Sequence, residues 1–268
     1  MIHAAIFDWR AREVVRRQSL VYLRNWYISL IPPAFEPLLY LLAFGIGLGA
    51  HIGAITWHGA SLPYLAYIAP GIITFTSFNA PFFQALYGAY VRMHYQKTWE
   101  GQLTTQVDLP HVVAGEMLWA GLQGTLYAAI VTTVIAVFAA FGALHIVWWT
   151  LPLVLPLAFI LGCAMALVGL LFTAIMPSID HMNLPTFLVG FPVSILSDTY
   201  FPVETGIPWV QAILALNPVR HCSEAMRTLL IEGRIGADSG DMCAISVVLV
   251  IVLFPIVTRL MQRRVLGE

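Results

Sequence analysis

The chain has 268 residues, of which 59% are hydrophobic and only 10% charged, with a formal net charge of −1 and a mean hydropathy of +0.82. A soluble domain carries roughly 25% charged residues, so most of this chain must face lipid and no room remains for a soluble domain. The near-neutral charge argues against nucleic acid as a partner.

The predicted elements begin with a basic amphipathic helix over residues 3–25. Phe7, Val14, Val15, Val21 and Tyr22 fall on one arc, and Arg12, Glu13, Arg16, Arg17 and Arg24 on the others. Such a helix lies in a membrane surface rather than across it. No cleavable signal pattern precedes it. A first span follows over about 27–50, with Pro32 and Pro33 expected to break or kink its start. Gly45 and Gly49 make a G-x-x-x-G pair that lets another helix approach closely. Glu36 lies inside this apolar stretch, where an acid is a functional candidate by default. Its nearness to the start of the span favours a partly solvated, interfacial carboxylate.

His51 to Pro63 read as a short outer loop, and a second span covers about 64–90. The segment from Arg92 to Glu116 is the longest polar stretch between the first span and the fourth and holds the single lysine, Lys97. Tyr95, Trp99 and Leu103 recur at four-residue steps, so one short helix would place them on one face, beside Lys97 and Glu100. Two readings fit that stripe. A partner protein grips it, or its aromatics sit at headgroup level.

The third span covers about 112–141 and ends at a turn marked by Trp148 and Trp149. The fourth covers about 150–176, where Ala158, Gly162 and Ala166 form a close-packing stripe. The fifth, Leu184 to Tyr200, is short and carries Pro185 and Pro192. A sixth lies at about 242–261. Between them, residues 201–241 read as two short helices that dip into the outer leaflet, with Asn217–Pro218 as cap and first-turn proline. Irregular backbone there is tolerable only where protein or a cavity covers it. Arg220, Glu224 and Arg227 share one face of the second short helix, and Val219, Cys222, Met226 and Leu230 the other.

The fold class expected is therefore all-α and integral to the membrane, with six transmembrane helices, an N-terminal interfacial helix and a re-entrant outer hairpin. Orientation follows from the basic residues. Arg10, Arg12, Arg16, Arg17, Arg24, Arg92, Lys97, Arg259, Arg263 and Arg264 fall on one side, against Arg220, Arg227 and Arg234 on the other. The excess of positive charge marks the cytoplasmic side, so both termini and the central loop are expected there.

Much chemistry is missing from the sequence. No phosphate-cradling G-x-x-x-x-G-K-[ST], no H-E-x-x-H and no G-x-S-x-G is present. Cys163, Cys222, Cys243 and the eight histidines lack metal-ligand spacing. No catalytic or metal site is expected. Cys222 and Cys243 fall on the outer side, where a disulfide or two unpaired thiols both fit.

Several stretches resemble one family. They are E-P-L-L-Y-L-L-A-F-G-I-G-L-G from Glu36, Y-I-A-P-G-I-I-T from Tyr67, Y-G-A-Y-V-R-M from Tyr87, K-T-W-E from Lys97, G-E-M-L-W-A from Gly115, Y-F-P-V from Tyr200 and L-N-P-V-R-H from Leu216. In this order they resemble type-2 ABC exporter permeases, nearest to the nodulation-type lipo-oligosaccharide exporters. Thr105–Gln106 stands where the family usually has a threonine–proline pair, and Ser197–Asp198–Thr199 where it often has small residues. The resemblance implies one transmembrane domain over residues 1–268, with 3–25 as a connecting helix, 92–111 as the coupling loop and 201–241 as the outer hairpin. It implies a bacterial inner-membrane location and a second permease chain, as a homodimer or half of a heterodimer. It also implies two separate ATPase subunits, which would hold the ATP and magnesium that this chain does not bind. The cargo would be amphipathic: a lipid-linked saccharide, a lipid, or a hydrophobic drug or antibiotic.

Within that frame Tyr200, Phe201, Trp209, Arg220 and Arg227 are expected to form an outer gate, with aromatics against the cargo's apolar or sugar faces and arginines near its anionic head. A structural lid is the alternative. A proton-coupled carrier using Glu36, Asp180 or Asp198 and an integral-membrane enzyme are the rivals from other classes. The lack of an internal repeat weighs against the carrier, and the lack of polar residues clustered at one depth against the enzyme.

Overall fold

A computed structural model describes residues 2–203 and 206–267. It is built almost entirely of helices. After a 3-10 turn, α1 spans Trp9–Arg24, capped by Asp8, whose carboxylate accepts from the Arg10 backbone N–H. α2 spans Trp26–Tyr40 and continues through π-helical Leu41–Leu48 to a last turn at Gly49–Ile52. The backbone is helical through positions 32 and 33, so the prolines do not interrupt it.

The outer loop expected at 51–63 contains a β-hairpin, Ala54–Trp57 (β1) against Ala60–Pro63 (β2), with Trp57 opposite Ala60. His58 and Gly59 both have positive φ, the geometry of a tight two-residue turn. The all-α expectation thus misses two short strands. Their signal was only a His-Gly pair between short apolar runs.

α3 spans Tyr64–Phe83 and stays helical through π-helical Gln84–Gly88 and Val91–Tyr95. α4 is the short Thr98–Leu103. α5 spans Leu109–Ala140 and α6 Leu151–Ile175. The expected fifth span is helical from residue 183, through Thr186–Gly190 in π form, to Phe191–Ile195 (α7). α8 spans Pro208–Leu216 and α9 Pro218–Arg227. Asn217 caps α9 through the Val219 N–H at 3.0 Å, as its sequence indicates. A π segment, Thr228–Glu232, leads to α10, Ala237–Leu266, which starts five residues before the expected span.

Among the described residues four helices are long and apolar enough to cross a membrane: Trp26–Gly45, Leu109–Ala140, Trp148–Ile175 and Ala237–Val265. α3 is long enough with its continuation, but tyrosines, Thr74, Thr76, Ser77, Asn79 and two prolines dilute its apolar content.

The core is a bundle of α3, α5 and α6, with α10 against α6, α1 against α5, and α9 against α3 and α10. Small residues set the spacing. Ala158 and Ala166 are fully buried, and a Cβ on Gly162 would lie 3.1 Å from Pro81 Cγ and 3.2 Å from Gly121 Cα. The predicted stripe therefore faces α3 and α5. A Cβ on Gly45 would lie 2.2 Å from Leu65 Cδ1, and one on Gly49 would touch Tyr64. That pair packs on the start of α3 in its own chain. α2 is the outlier: Ile28, Ile31, Phe35 and Leu39 are all more than half exposed.

Gly169 faces backbone as well as side chains. A Cβ there would lie 2.5 Å from the Phe82 carbonyl oxygen, a backbone atom that cannot rotate away. Gly169→Ala should lower the thermal stability of the purified protein by about 1–3 kcal/mol, as overpacked cores do. Gly101→Ala, which meets open space inside α4, should be neutral or stabilising by up to ~1 kcal/mol. Thermal unfolding in detergent compares the two.

Candidate functional site

The end of the bundle that carries both chain termini gathers the chemistry. Glu116 sits about two turns into α5 and is 1% exposed. A buried carboxylate must find donors. Arg92, at the end of the α3 continuation, supplies two: Nε to Oε1 at 3.0 Å and Nη2 to Oε2 at 2.5 Å. The Trp99 indole N–H supplies a third, to Oε1 at 3.0 Å. The Thr98 hydroxyl donates to the Arg92 carbonyl at 3.0 Å. These contacts clamp α4 onto α3 and α5.

The clamp divides the predicted stripe. Lys97 takes a left-handed conformation, φ 54, so Tyr95 and Trp99 do not lie on one continuous helix. Trp99 turns inward and is 1% exposed, while Tyr95 is 64% exposed. Leu103 is half-buried against the core. Lys97 and Glu100 pair at 2.6 Å with both side chains in solvent. The outward face of the α4 turn is thus Tyr95, Lys97 and Glu100, and Trp99 is its internal anchor. Sequence reasoning did not single out Glu116, although it is the only carboxylate in α5, a signal available to any search for acids in apolar runs.

Two further ties brace this end. Asp108 and His111 form a reciprocal cap at the start of α5. Asp108 donates its N–H to His111 Nδ1 at 3.2 Å, so Nε2 carries the proton that faces the Asp8 carboxylate at 3.3 Å. Arg10 reaches Asp108 at 3.2 Å. The Arg10 backbone N–H, and then the neighbouring His111 ring and the Arg10 guanidinium, hold the Asp8 carboxyl below its usual range against some burial. At the other terminus Arg264 donates to the Thr173 carbonyl at 2.6 Å and to His94 Nε2 at 2.9 Å. Partial burial, then Arg264 and Lys97, push the His94 imidazole down. A neutral ring is what accepting from an arginine requires.

The opposite end holds the expected gate residues, and the structure separates them. Arg227 is fully buried, not on a polar surface. A guanidinium without water needs acceptors on every side. It has the Tyr67 carbonyl at 3.1 Å, Glu224 at 2.6 Å, the Asp198 carbonyl, and the Tyr67 ring 3.8 Å beneath it. Arg220 is tied to Asp198 at 2.7 Å. Asp198 itself has φ 53, and the Tyr67 hydroxyl also donates to its carbonyl. Tyr200 packs among rings, with Phe44 at 6.1 Å and Phe75 at 6.3 Å. Phe201 and Trp209 are more than half exposed. Glu36 is exposed and, with Tyr40, Thr76 and Asn79, borders a cavity of about 170 Å³. Cys222 is buried, and all three cysteines are free thiols. The fold also brings donor atoms of His221, Asp238 and Asp241 within 4.8 Å of one another, a grouping that their separation in sequence hides.

Residues 11–231 match the ABC-2 type transporter family. The chain is 32% identical over 263 residues to Nodulation protein J of Rhizobium leguminosarum bv. trifolii, covering 97% of this chain and 94% of that protein. It is 31% identical over 262 residues to Nodulation protein J of R. leguminosarum bv. viciae, covering 97% and 95%. It is 28% identical over 210 residues to the inner membrane transport permease YadH of Escherichia coli K12, covering 77% of each.

The clamp predicts a graded response. Glu116→Ala leaves the largely buried Arg92 without its counter-charge and should cost about 3–5 kcal/mol. Trp99→Phe keeps an aromatic ring, leaves part of the indole volume empty and loses one charge-assisted hydrogen bond, the last worth about 1.5–3 kcal/mol. Both should speed proteolytic cleavage within residues 96–107, with Glu116→Ala faster. Equal protection in parent and variants would show that the clamp does not hold α4.

Proposed function

We propose, because this chain belongs to the ABC-2 type transporter family, that it is the membrane-spanning permease of an ATP-driven exporter. The observation that carries this reading is the clamped α4 turn. It is a rigid knob with an outward face of Tyr95, Lys97 and Glu100, tied by Glu116 and Arg92 to two long helices. Such a knob suits docking by a separate ATPase, which would bind ATP and magnesium and move the knob. Two ATPase copies and a second permease chain complete the transporter. The exposed apolar side of α2 supports lipid or the second chain as its cover.

The spans in this reading are α2, α3 and α5, then α6, residues 183–195 and α10, with residues 201–236 as the outer hairpin. Ten basic residues gather at the end of the termini and three at the other, which favours a cytoplasmic knob in a bacterial inner membrane. Glu36 lies ten residues into α2. At 1.5 Å per residue that is ~15 Å of depth, near the middle of a ~30 Å hydrocarbon layer rather than at its surface. Glu36 and Tyr40 then face the seam between two chains, a route suited to an amphipathic molecule: a lipid-linked saccharide, a lipid or a hydrophobic drug. Arg227 is withdrawn from this route, since it is fully buried and each of its three nitrogens already donates within the protein. Phe201 and Trp209 remain as its exposed outer aromatics.

Two experiments test the reading. Tyr95→Ala should leave the thermal stability of the permease unchanged and weaken ATPase docking by about 2 kcal/mol, roughly 30-fold. The measurement is co-purification and stimulated ATP hydrolysis with the ATPase subunit. Unchanged docking, or transport by the permease alone under a proton gradient, would favour a secondary carrier. Single cysteines at Lys97 and Gly206 should be labelled from opposite faces of the membrane, Lys97 from the cytoplasm. Labelling of both from one face would end the six-span arrangement.

A further inference from the structure

A cavity of about 410 Å³ opens between α1, the start of α2, the helical continuation of α3 and Trp119 of α5. Its wall is rich in donors and contains no carboxylate. Arg17, Gln18, Asn25, Gln84, Arg92 and Gln96 all border it. Arg92 is already neutralised by Glu116 behind the wall. Arg17 has no ion-pair partner among the described residues, so the wall carries one uncompensated positive charge.

Gln18 is the sharper signal. Gln18 is 95% buried, yet among the described residues its amide nitrogen has no acceptor. Buried amide donors are normally satisfied, and a group left without a partner beside a cavity marks the place of an acceptor. Gln84 does not provide it. With its amide turned to satisfy its neighbours, the Gln84 oxygen accepts from Trp119 Nε1 at 3.2 Å and from Arg92 Nη1 at 3.0 Å. The ligand that answers two amide N–H groups and one free guanidinium is an anion with several acceptor oxygens.

The surroundings specify its source. Leu20, Val21, Trp26 and Ile28, on the flank formed by α1 and α2, are all more than half exposed. A polar, cationic cavity beside an exposed apolar flank has the layout of a headgroup site with acyl chains alongside. We propose that this cavity binds the phosphate of an anionic membrane lipid, with the Gln18 amide and Arg17 as its recognising donors. The proposal rests on the membrane reading above and is independent of the ATPase and of cargo. A bound lipid would join α1 to the same α3 segment that holds α4 through Arg92.

The test uses the full-length protein in a neutral detergent, without its ATPase, titrated with three probes while native mass and thermal stability are followed. The probes are short-chain phosphatidylglycerol, inorganic phosphate, and diacylglycerol with the same chains. Phosphatidylglycerol should bind saturably and raise the melting temperature, and inorganic phosphate should bind at least tenfold more weakly. Diacylglycerol should not bind at the site. Gln18→Leu should weaken phosphatidylglycerol at least tenfold while the lipid-free protein melts at or above the parent temperature, because the variant removes an unpartnered buried donor. Arg17→Gln, on the surface, should weaken binding without affecting folding. Equal binding of inorganic phosphate would assign the site to a soluble anion, and equal binding of diacylglycerol to apolar contact alone; either result overturns the proposal. So does undiminished binding in both variants. Failure here leaves the exporter reading standing, since ATPase docking and topology are measured separately.

Discussion

One buried carboxylate organises the end of the bundle on which the functional reading depends. Glu116 stands in an apolar helix with almost no access to water, where an unpaired charge would cost several kcal/mol. It is tolerated because three donors converge on it, two from Arg92 and one from Trp99. The same need fixes the geometry of everything those donors are attached to. Arg92 must end the α3 continuation within reach of α5, and α4 must turn its one large aromatic inward. The outward face of the turn is what remains.

Arg227 is the counterpart at the opposite end, with the sign reversed. A buried cation there collects two backbone carbonyls, a carboxylate and an aromatic face. One of those carbonyls belongs to Asp198, whose left-handed backbone redirects the chain after α7. Arg227 therefore ties α9 to α3 and to the segment following the broken helix. Pairs of this kind contribute more to a single arrangement than to net stability, and both ends of α3 are fixed in this way. Between the ends, close glycine and alanine contacts with α5 and α6 let packing replace the hydrophobic drive that lipid does not supply.

The long elements were legible in the sequence because twenty apolar residues have few alternatives to a helix. The Asn217 cap and the close packing at Ala158, Gly162 and Ala166 followed from local chemistry that the bundle does not override. The readings that changed share another cause. Periodicity assumes an unbroken helix, and Lys97 breaks it with a positive φ that its residue type does not announce. Once the break is present, Trp99 is free to answer Glu116 rather than line up with Tyr95. Arg227 was placed on a polar face by its spacing from Arg220 and Glu224. Only the contacts with α3 reveal that this face is covered. The hairpin at β1 and β2 was missed for want of length, since four-residue strands leave little pattern.

These constraints determine how motion at the α4 turn could travel. A push on Tyr95 and Glu100 cannot be absorbed locally, because Trp99 and Arg92 bind the turn to α5 and α3 at one point. It must move those helices or break a buried pair. α3 has the means to yield: Pro70 and Pro81 remove backbone hydrogen bonds, and two π-helical stretches lie between Phe83 and Tyr95. Wide turns of this kind occur where helices change direction or work as hinges. α5, unbroken by proline after its first turn, has no such freedom. The stiff helix and the jointed helix leave the same carboxylate. Displacement at the knob would carry α5 as a rod while α3 bends against it, and that relative motion would reach α2, whose outer apolar face is exposed among the described residues.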